Sequence, residues 1–314
     1  MATLPSVRVN EAPPFTHCGL DCFGPFIVKD GRKESKRYGL IVTCMASRAV
    51  HIELLEDMTT DSFINAVRTV VAIRGPIQTI QSDQGTNFIG AASLLQSDGT
   101  DSNLKSMNIT MNFNPPHSSN FGGVWERQIR TIRSVLQGLG TRHGGRLSTS
   151  LLRTLFYEVM AIINCRPLTS TTDDMLQITP NILLTMKSDV VLPPPSTFEE
   201  ADIYARKRWR VVQQLANEFW TRWRKQYLLF LQSRQKWVNK VPEIRVGDIV
   251  LLCDDNAVRN QWPLARVVEC NLSHDSVVRS VKVLVGSKTY PKDSNKRVYL
   301  TRPISKLVVL VRSN

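Results

Sequence analysis

Three consecutive prolines, Pro193-Pro194-Pro195, set the firmest limit on how this chain folds. Proline fixes φ and lacks an amide hydrogen, so neither a continuous helix nor a central strand runs through Leu192–Ser196. The charge divides close by. Up to residue 200, 18 Lys and Arg balance 18 Asp and Glu; from residue 201, 22 stand against 9, so the whole net charge of +13 lies in the last third. A length of 314 residues suits about two domains. We therefore expect an N-terminal arm (1–12), an α/β domain (13–191), a Pro-rich linker with an amphipathic helix (192–240) and a basic C-terminal β-barrel domain (241–314). A segment this basic attracts polyanions, because neutralising phosphates releases condensed counterions.

No apolar run reaches the ~18–20 residues of a membrane span, and Met1–Asn10 is too polar for a signal peptide. Six cysteines without a C-x-x-C pair argue for a reducing compartment and against a disulfide scaffold or a Cys-rich zinc site.

Before the prolines the pattern is α/β. Thr16–Phe26, Tyr38–Ala46, Ala49–Leu55 and Ile77–Ser82 read as strands, and a helix capped by Thr60 or Asp61 runs to about Ile73. Residues 98–112 read as a polar insertion. Val124 to about Leu139 is the clearest helix: Trp125, Ile129, Ile132, Leu136 and Leu139 form one apolar stripe. Ser148–Asn164 is another, stopped by Cys165-Arg166-Pro167. Beyond the prolines, Phe198–Gln232 reads as one long helix. Its tryptophan spacing favours a packed core or an oligomer interface over base stacking. Five short β runs follow: Asp248–Leu252, Leu264–Cys270, Val277–Val285, Arg297–Leu300 and Ile304–Val311. Such spacing suggests a small barrel.

Three acids stand out by position. Asp21 interrupts an apolar strand, Asp83 follows another, and Glu126 opens the helix after the Pro-, Ser- and Asn-rich loop 114–123. Each has an ordinary explanation: an edge-strand charge, a turn former, a favourable charge at a helix start. Taken together they suit a divalent metal, because converging carboxylates repel one another unless cations bind between them. Mg²⁺ takes oxygen ligands and substrate phosphate, and two such ions support in-line phosphodiester displacement. Glu126, Arg130 and Arg133 share one helix face, which would set guanidiniums beside the metal to grip phosphate. A solvated Glu-Arg face explains the same spacing.

At these residues the sequence resembles the integrase region of Pao/BEL-type long-terminal-repeat retrotransposons, within the retroviral integrase-like group. The resemblance rests on an ordered series: Gly19-Leu20-Asp21-Cys22-Phe23-Gly24-Pro25-Phe26, Ser47-Arg48-Ala49-Val50-His51-Ile52-Glu53, Ser82-Asp83-Gln84-Gly85-Thr86-Asn87-Phe88, Phe121-Gly122-Gly123-Val124-Trp125-Glu126-Arg127, Asn164-Cys165-Arg166-Pro167-Leu168 and Val246-Gly247-Asp248-Ile249-Val250-Leu251-Leu252. It implies an RNase H-like core, a mixed five-stranded sheet with flanking helices, followed by a long helix and a small SH3-like barrel. It also implies Asp21, Asp83 and Glu126 as catalytic metal ligands, with Mg²⁺ or Mn²⁺, two ions in all, as cofactor. Arg130, Arg133, Asn120 and His117 are the candidate DNA contacts. The implied activity is divalent-metal-dependent cleavage and strand transfer of DNA. Its partners would be element ends, target DNA and further copies of the chain, with no membrane, and its setting the nucleus after passage through the cytoplasm. Two features depart from the family. Between Asp83 and Glu126 lie 42 residues, more than retroviral integrases usually have, and no His-His-Cys-Cys zinc module precedes the core in this sequence. The competing expectations are a domesticated or decayed, non-catalytic nucleic-acid-binding protein and a nuclease that hydrolyses without joining.

Overall fold

The computed structural model describes residues 11–82, 109–113, 125–170, 177–188, 192–204, 207–232, 244–254, 257–272, 278–286 and 298–313. By internal contacts these fall into two units, one of residues 1–164 and 196–219, the other of 165–195 and 220–314.

The first unit is organised by a long hairpin. Strand β1 (His17–Asp30) pairs antiparallel with β2 (Lys33–Cys44), which pairs antiparallel with β3 (Val50–Leu55). Helix α1 (Thr60–Arg74) returns the chain to β4 (Thr79–Ser82), which lies parallel to β1, and β5 (Thr110–Phe113) lies parallel to β4. The order is β3-β2-β1-β4-β5, a mixed five-stranded sheet with β1 at its centre. Helices α2 (Trp125–His143) and α3 (Thr149–Asn164) pack against it, giving the RNase H-like core expected. The apolar stripe of α2 is buried at Ile129, Ile132, Val135, Leu136 and Leu139.

Packing between α2 and β1 is close because of a missing side chain. A Cβ on Gly140 would stand 2.6 Å from the ring of Phe26. That ring is fixed by edge and tilted contacts among Phe23, Phe26 and Phe156. Asn164 ends α3 with a similar fixture: its side chain accepts from the Val50 N–H and donates to the Val50 carbonyl, both at 2.8 Å, closing the amide on the outer strand.

Three local expectations are corrected. The cap of α1 is Thr59, whose hydroxyl accepts from the Ser62 N–H, rather than Thr60 or Asp61. The supposed insertion 98–112 contributes Thr110–Met111–Asn112 to β5; a four-residue edge strand with one buried face carries too short a period to read. The long helix does not begin at Phe198. Residues Glu200–Tyr204 form a 3-10 turn, in which the Asp202 carboxylate accepts from the Glu199 N–H and binds the guanidinium of Arg210, and helix α5 runs only from Arg208 to Leu231, after the short α4 (Pro180–Thr185). A side chain that satisfies nearby backbone offers the chain an alternative to helix.

The N-terminal half of α5 completes the first unit, burying Val212, Leu215, Ala216 and Phe219. Gln213 donates to Glu158 at 2.8 Å, and Glu218 receives Arg142 at 2.9 Å and His143 at 3.2 Å.

The second unit holds a β6–β7 pair (Thr169–Ser170, Gln177–Ile178) and a five-stranded antiparallel sheet. Its strands are β8 (Ile249–Leu252), β9 (Leu264–Leu272), β10 (Val278–Val285), β11 (Tyr299–Pro303) and β12 (Leu307–Val311), in the order β11-β10-β9-β8-β12. A meander whose last strand returns to the first is the order an SH3-like barrel needs. Ile304–Lys306 is a 3-10 turn leading into β12, not its first residues. The valine-rich inner face, Val250, Val267, Val281 and Val283 among it, forms the core. Trp220, Trp223 and Tyr227 of α5 pack with Trp262 in edge and stacked contacts, so these tryptophans are structural.

None of the six cysteines forms a disulfide, and no helix among the described residues is long and apolar enough to cross a membrane.

Candidate active site

Asp21 sits near the middle of the central strand, opposite Ile41 of β2, between buried Leu20 and Phe23. Period-two alternation puts Asp21 on the same face as Phe23, the face on which Phe156 of α3 packs. Its carboxylate is 20% exposed, and its Oδ2 accepts a hydrogen bond of 2.7 Å from Nη1 of Arg133 on α2. A carboxylate on an apolar strand needs compensation, and here part of it comes from a guanidinium.

Asp83 lies outside the described residues, as do His117 and Asn120. What is described is the strand that leads to Asp83: β4 ends at Ser82, and the parallel register pairs Gly19 with Gln81. Each of those partners stands two residues before a candidate acid. Glu126 lies on the first turn of α2, and its side chain is outside the described residues. Its position shares a helix face with Arg130 and Arg133. Arg130 is exposed; Arg133 is 43% exposed and turned to Asp21. Among the described residues no three His, Cys, Asp or Glu gather as a metal cluster. The donor chemistry of Asp21 nonetheless fits a cation: an accessible carboxylate oxygen already holds a positive group.

Sequence reasoning missed the Asp21–Arg133 pair. The two are 112 positions apart, and no local spacing signals the contact. A second cluster was also missed, on the outer strand β3. Arg74 donates its Nε–H to Nδ1 of the buried His51 at 3.2 Å, which places the ring proton on Nε2, facing Glu53 Oε2 at 3.4 Å. The Tyr157 hydroxyl lies 3.4 Å from the same carboxylate. Burial by itself would push Glu53 up, but hydrogen bonds from His51, the Leu54 N–H and Tyr157 outweigh it and hold the carboxyl below its ordinary value. Burial lowers the Arg74 guanidinium and raises the Tyr157 phenol, the latter helped by the neighbouring carboxylate. The network reads as a structural buttress, since it ties β3, through His51 and Glu53, to Arg74 at the end of α1 and Tyr157 of α3.

Comparison with known proteins adds little to this geometry. Residues 207–310, a third of the chain, match a family of unknown function (DUF5641). No curated protein matches. Among solved structures, the chain is similar to one from the cryo-EM structure of the simian T-cell lymphotropic virus intasome in complex with PP2A regulatory subunit B56 gamma. That match has 13% identity and a TM-score of 0.38, and covers 100% of this chain and 85% of that one. The fold stands on its own strand order.

Proposed function

We propose that this protein is an integrase-like polynucleotidyl transferase, which cleaves phosphodiester bonds in DNA and joins the resulting ends to a second DNA. The observation that carries the reading is the convergence of three elements on Asp21. Strand β1 bears it at the sheet centre, β4 pairs with β1 up to Gly19 and ends at Ser82, one position before Asp83, and α2, with Glu126 in its first turn, reaches it through Arg133. Three motifs of the integrase-like series, those containing Asp21, Asp83 and Glu126, include residues of these same elements.

In this reading Asp21, Asp83 and Glu126 hold the divalent ions. When bound, Mg²⁺ or Mn²⁺ activates the attacking oxygen and stabilises the leaving one. The chain's own contribution in this reading is to bring three acids together, so that their mutual repulsion is relieved by cation binding. Arg130 and Arg133 would engage phosphate from the shared helix face, with Asn120 and His117 contributing from the preceding loop. In cleavage, water attacks phosphorus and frees a 3′-hydroxyl; in joining, that hydroxyl attacks a target phosphorus and displaces a 3′-oxygen. Such a protein would act as a homo-oligomer, on element ends and target DNA, in the nucleus.

The test is a strand-transfer assay in Mg²⁺ and in Mn²⁺. Asp83→Asn should abolish cleavage and joining and leave DNA affinity close to that of the wild type, since it removes a metal ligand and no phosphate contact. Normal turnover by the variant would refute the triad. A second reading, a non-catalytic DNA-binding or assembly protein, draws on the charge gathered in the last third of the chain. It requires salt-sensitive DNA binding by a wild type that never cleaves or joins, in either metal.

A further inference from the structure

Arg133, from the helix that also bears Glu126, contacts the candidate metal ligand. The contact is short, 2.7 Å from Nη1 to Oδ2, yet neither partner is enclosed, at 43% and 20% exposure. Arg133 leaves α2 next to the fully buried Ile132, at the rim of the helix–sheet packing, so its guanidinium can swing while the helix stays seated. Arg224 is a useful contrast. At 5% exposure, donating to the carbonyls of Asp254 and Leu252, it is locked in the core of the second unit.

The pair is part-buried, but its guanidinium side stays open to solvent, so it can exchange. A divalent cation on the Asp21 carboxylate and a guanidinium on the same oxygen exclude each other, because like charges repel strongly at such separations. Arg133 therefore competes with a cation for that oxygen. Once released, its planar fork is suited to a phosphate, which it can grip through two parallel hydrogen bonds. The exchange also runs in reverse: a phosphate that draws Arg133 away frees the carboxylate.

We propose that Arg133 is a positioning residue that holds the Asp21 carboxylate in the resting protein and passes to a DNA phosphate as Asp21 takes a divalent cation, so that metal and DNA bind cooperatively. The inference rests on Asp21 being a metal ligand, as proposed above. It adds a coupling between two ligands, and linkage requires each to raise the other's affinity by the same factor. A pair open to solvent on one side shifts an equilibrium by about two- to fivefold, and that sets the size of the coupling.

The experiment uses the full chain and measures Mn²⁺ binding by the EPR signal of the free ion, without DNA. Wild type, Arg133→Gln, Arg130→Gln and Asp21→Asn are compared, after circular dichroism melts verify that each is folded. Arg133→Gln should bind Mn²⁺ about two- to fivefold more tightly than wild type, because a competitor is gone. Arg130→Gln removes an equal charge from the same helix face and should change Mn²⁺ affinity much less. Asp21→Asn should lose the site. In a second measurement, fluorescence anisotropy of a labelled duplex, Mn²⁺ should tighten DNA binding to wild type by that same factor beyond its effect on Arg133→Gln. If Arg133→Gln binds Mn²⁺ no better than wild type while Asp21→Asn loses it, the exchange is refuted and the metal site stands. Equal gains in Arg130→Gln and Arg133→Gln would also refute it, by reducing the effect to charge acting through space. If neither wild type nor Arg133→Gln binds Mn²⁺, the metal assignment and the exchange fall together.

Discussion

The His51–Glu53–Tyr157–Arg74 network shows how much a single buried residue decides in this molecule. Glu53 is almost wholly enclosed and its carboxyl lies below its ordinary value because its hydrogen bonds outweigh the effect of burial. The sign of the pH effect follows. A depressed carboxyl contributes stability that is present above its unfolded value and is lost as pH falls through the folded one. Glu53→Gln should therefore flatten the acid limb of a plot of urea midpoint against pH. At neutral pH it should cost about 1–3 kcal/mol, because the amide turns a donor toward groups that already donate. An unchanged acid limb would mean that Glu53 titrates alike in both states. Neither this network nor the Asp21–Arg133 pair was legible in the sequence. The acids and arginines stood out as residue types, but their partners lie up to 112 positions away, and only the tertiary fold says which charge meets which.

Elements were far more legible than contacts, wherever their periodicity was long. The stripe of α2 is written in local spacing because that helix buries one face, and β2 and β3 are written in continuous apolar runs because residues 39–44 and 50–55 are buried on both faces. Strand β5 was hidden because a four-residue edge strand owes its state to pairing with β4 rather than to its own pattern. The start of α5 was hidden because Asp202 and Arg210 fold the preceding residues into a turn. A further invisible feature is the role of Gly140, which looks in the sequence like an ordinary weak point in a helix. Propensity alone says that Gly140→Ala should stabilise α2 by up to about 1 kcal/mol. The structure predicts the opposite, since the new methyl would stand 2.6 Å from a Phe26 ring that Phe23 and Phe156 hold in place. We expect a net loss of about 1–3 kcal/mol by urea denaturation, as for other overpacked interfaces. A gain in stability would show that α2 can shift freely over β1. It would also weaken the case that α2 stays seated on β1 while the Arg133 guanidinium moves.

At the scale of the whole molecule, the charge divides between the two units in the same sense as along the sequence, though less sharply. The first unit carries 20 Lys and Arg against 17 Asp and Glu, a net of +3; the second carries 20 against 10, a net of +10. Cutting the chain at about Leu192 is a poor way to test this, because it would strip Val212, Leu215, Ala216 and Phe219 from the first unit as well. Substitution in the full chain is cleaner. Arg279, Lys282 and Lys306 are exposed on the second unit, and Lys33, Lys36 and Arg68 are exposed on the first. Each phosphate contact contributes roughly 0.9 to the slope of log affinity against log salt. Changing the first three to Gln should thus lower that slope by about 2–3 if all of them touch the duplex, while the second three, equal in charge, should leave it nearly unchanged. The comparison holds net charge constant, so only the position of the charge can separate the two triples. Equal slopes would locate DNA on neither surface in particular and would make the basic second unit a matter of solubility.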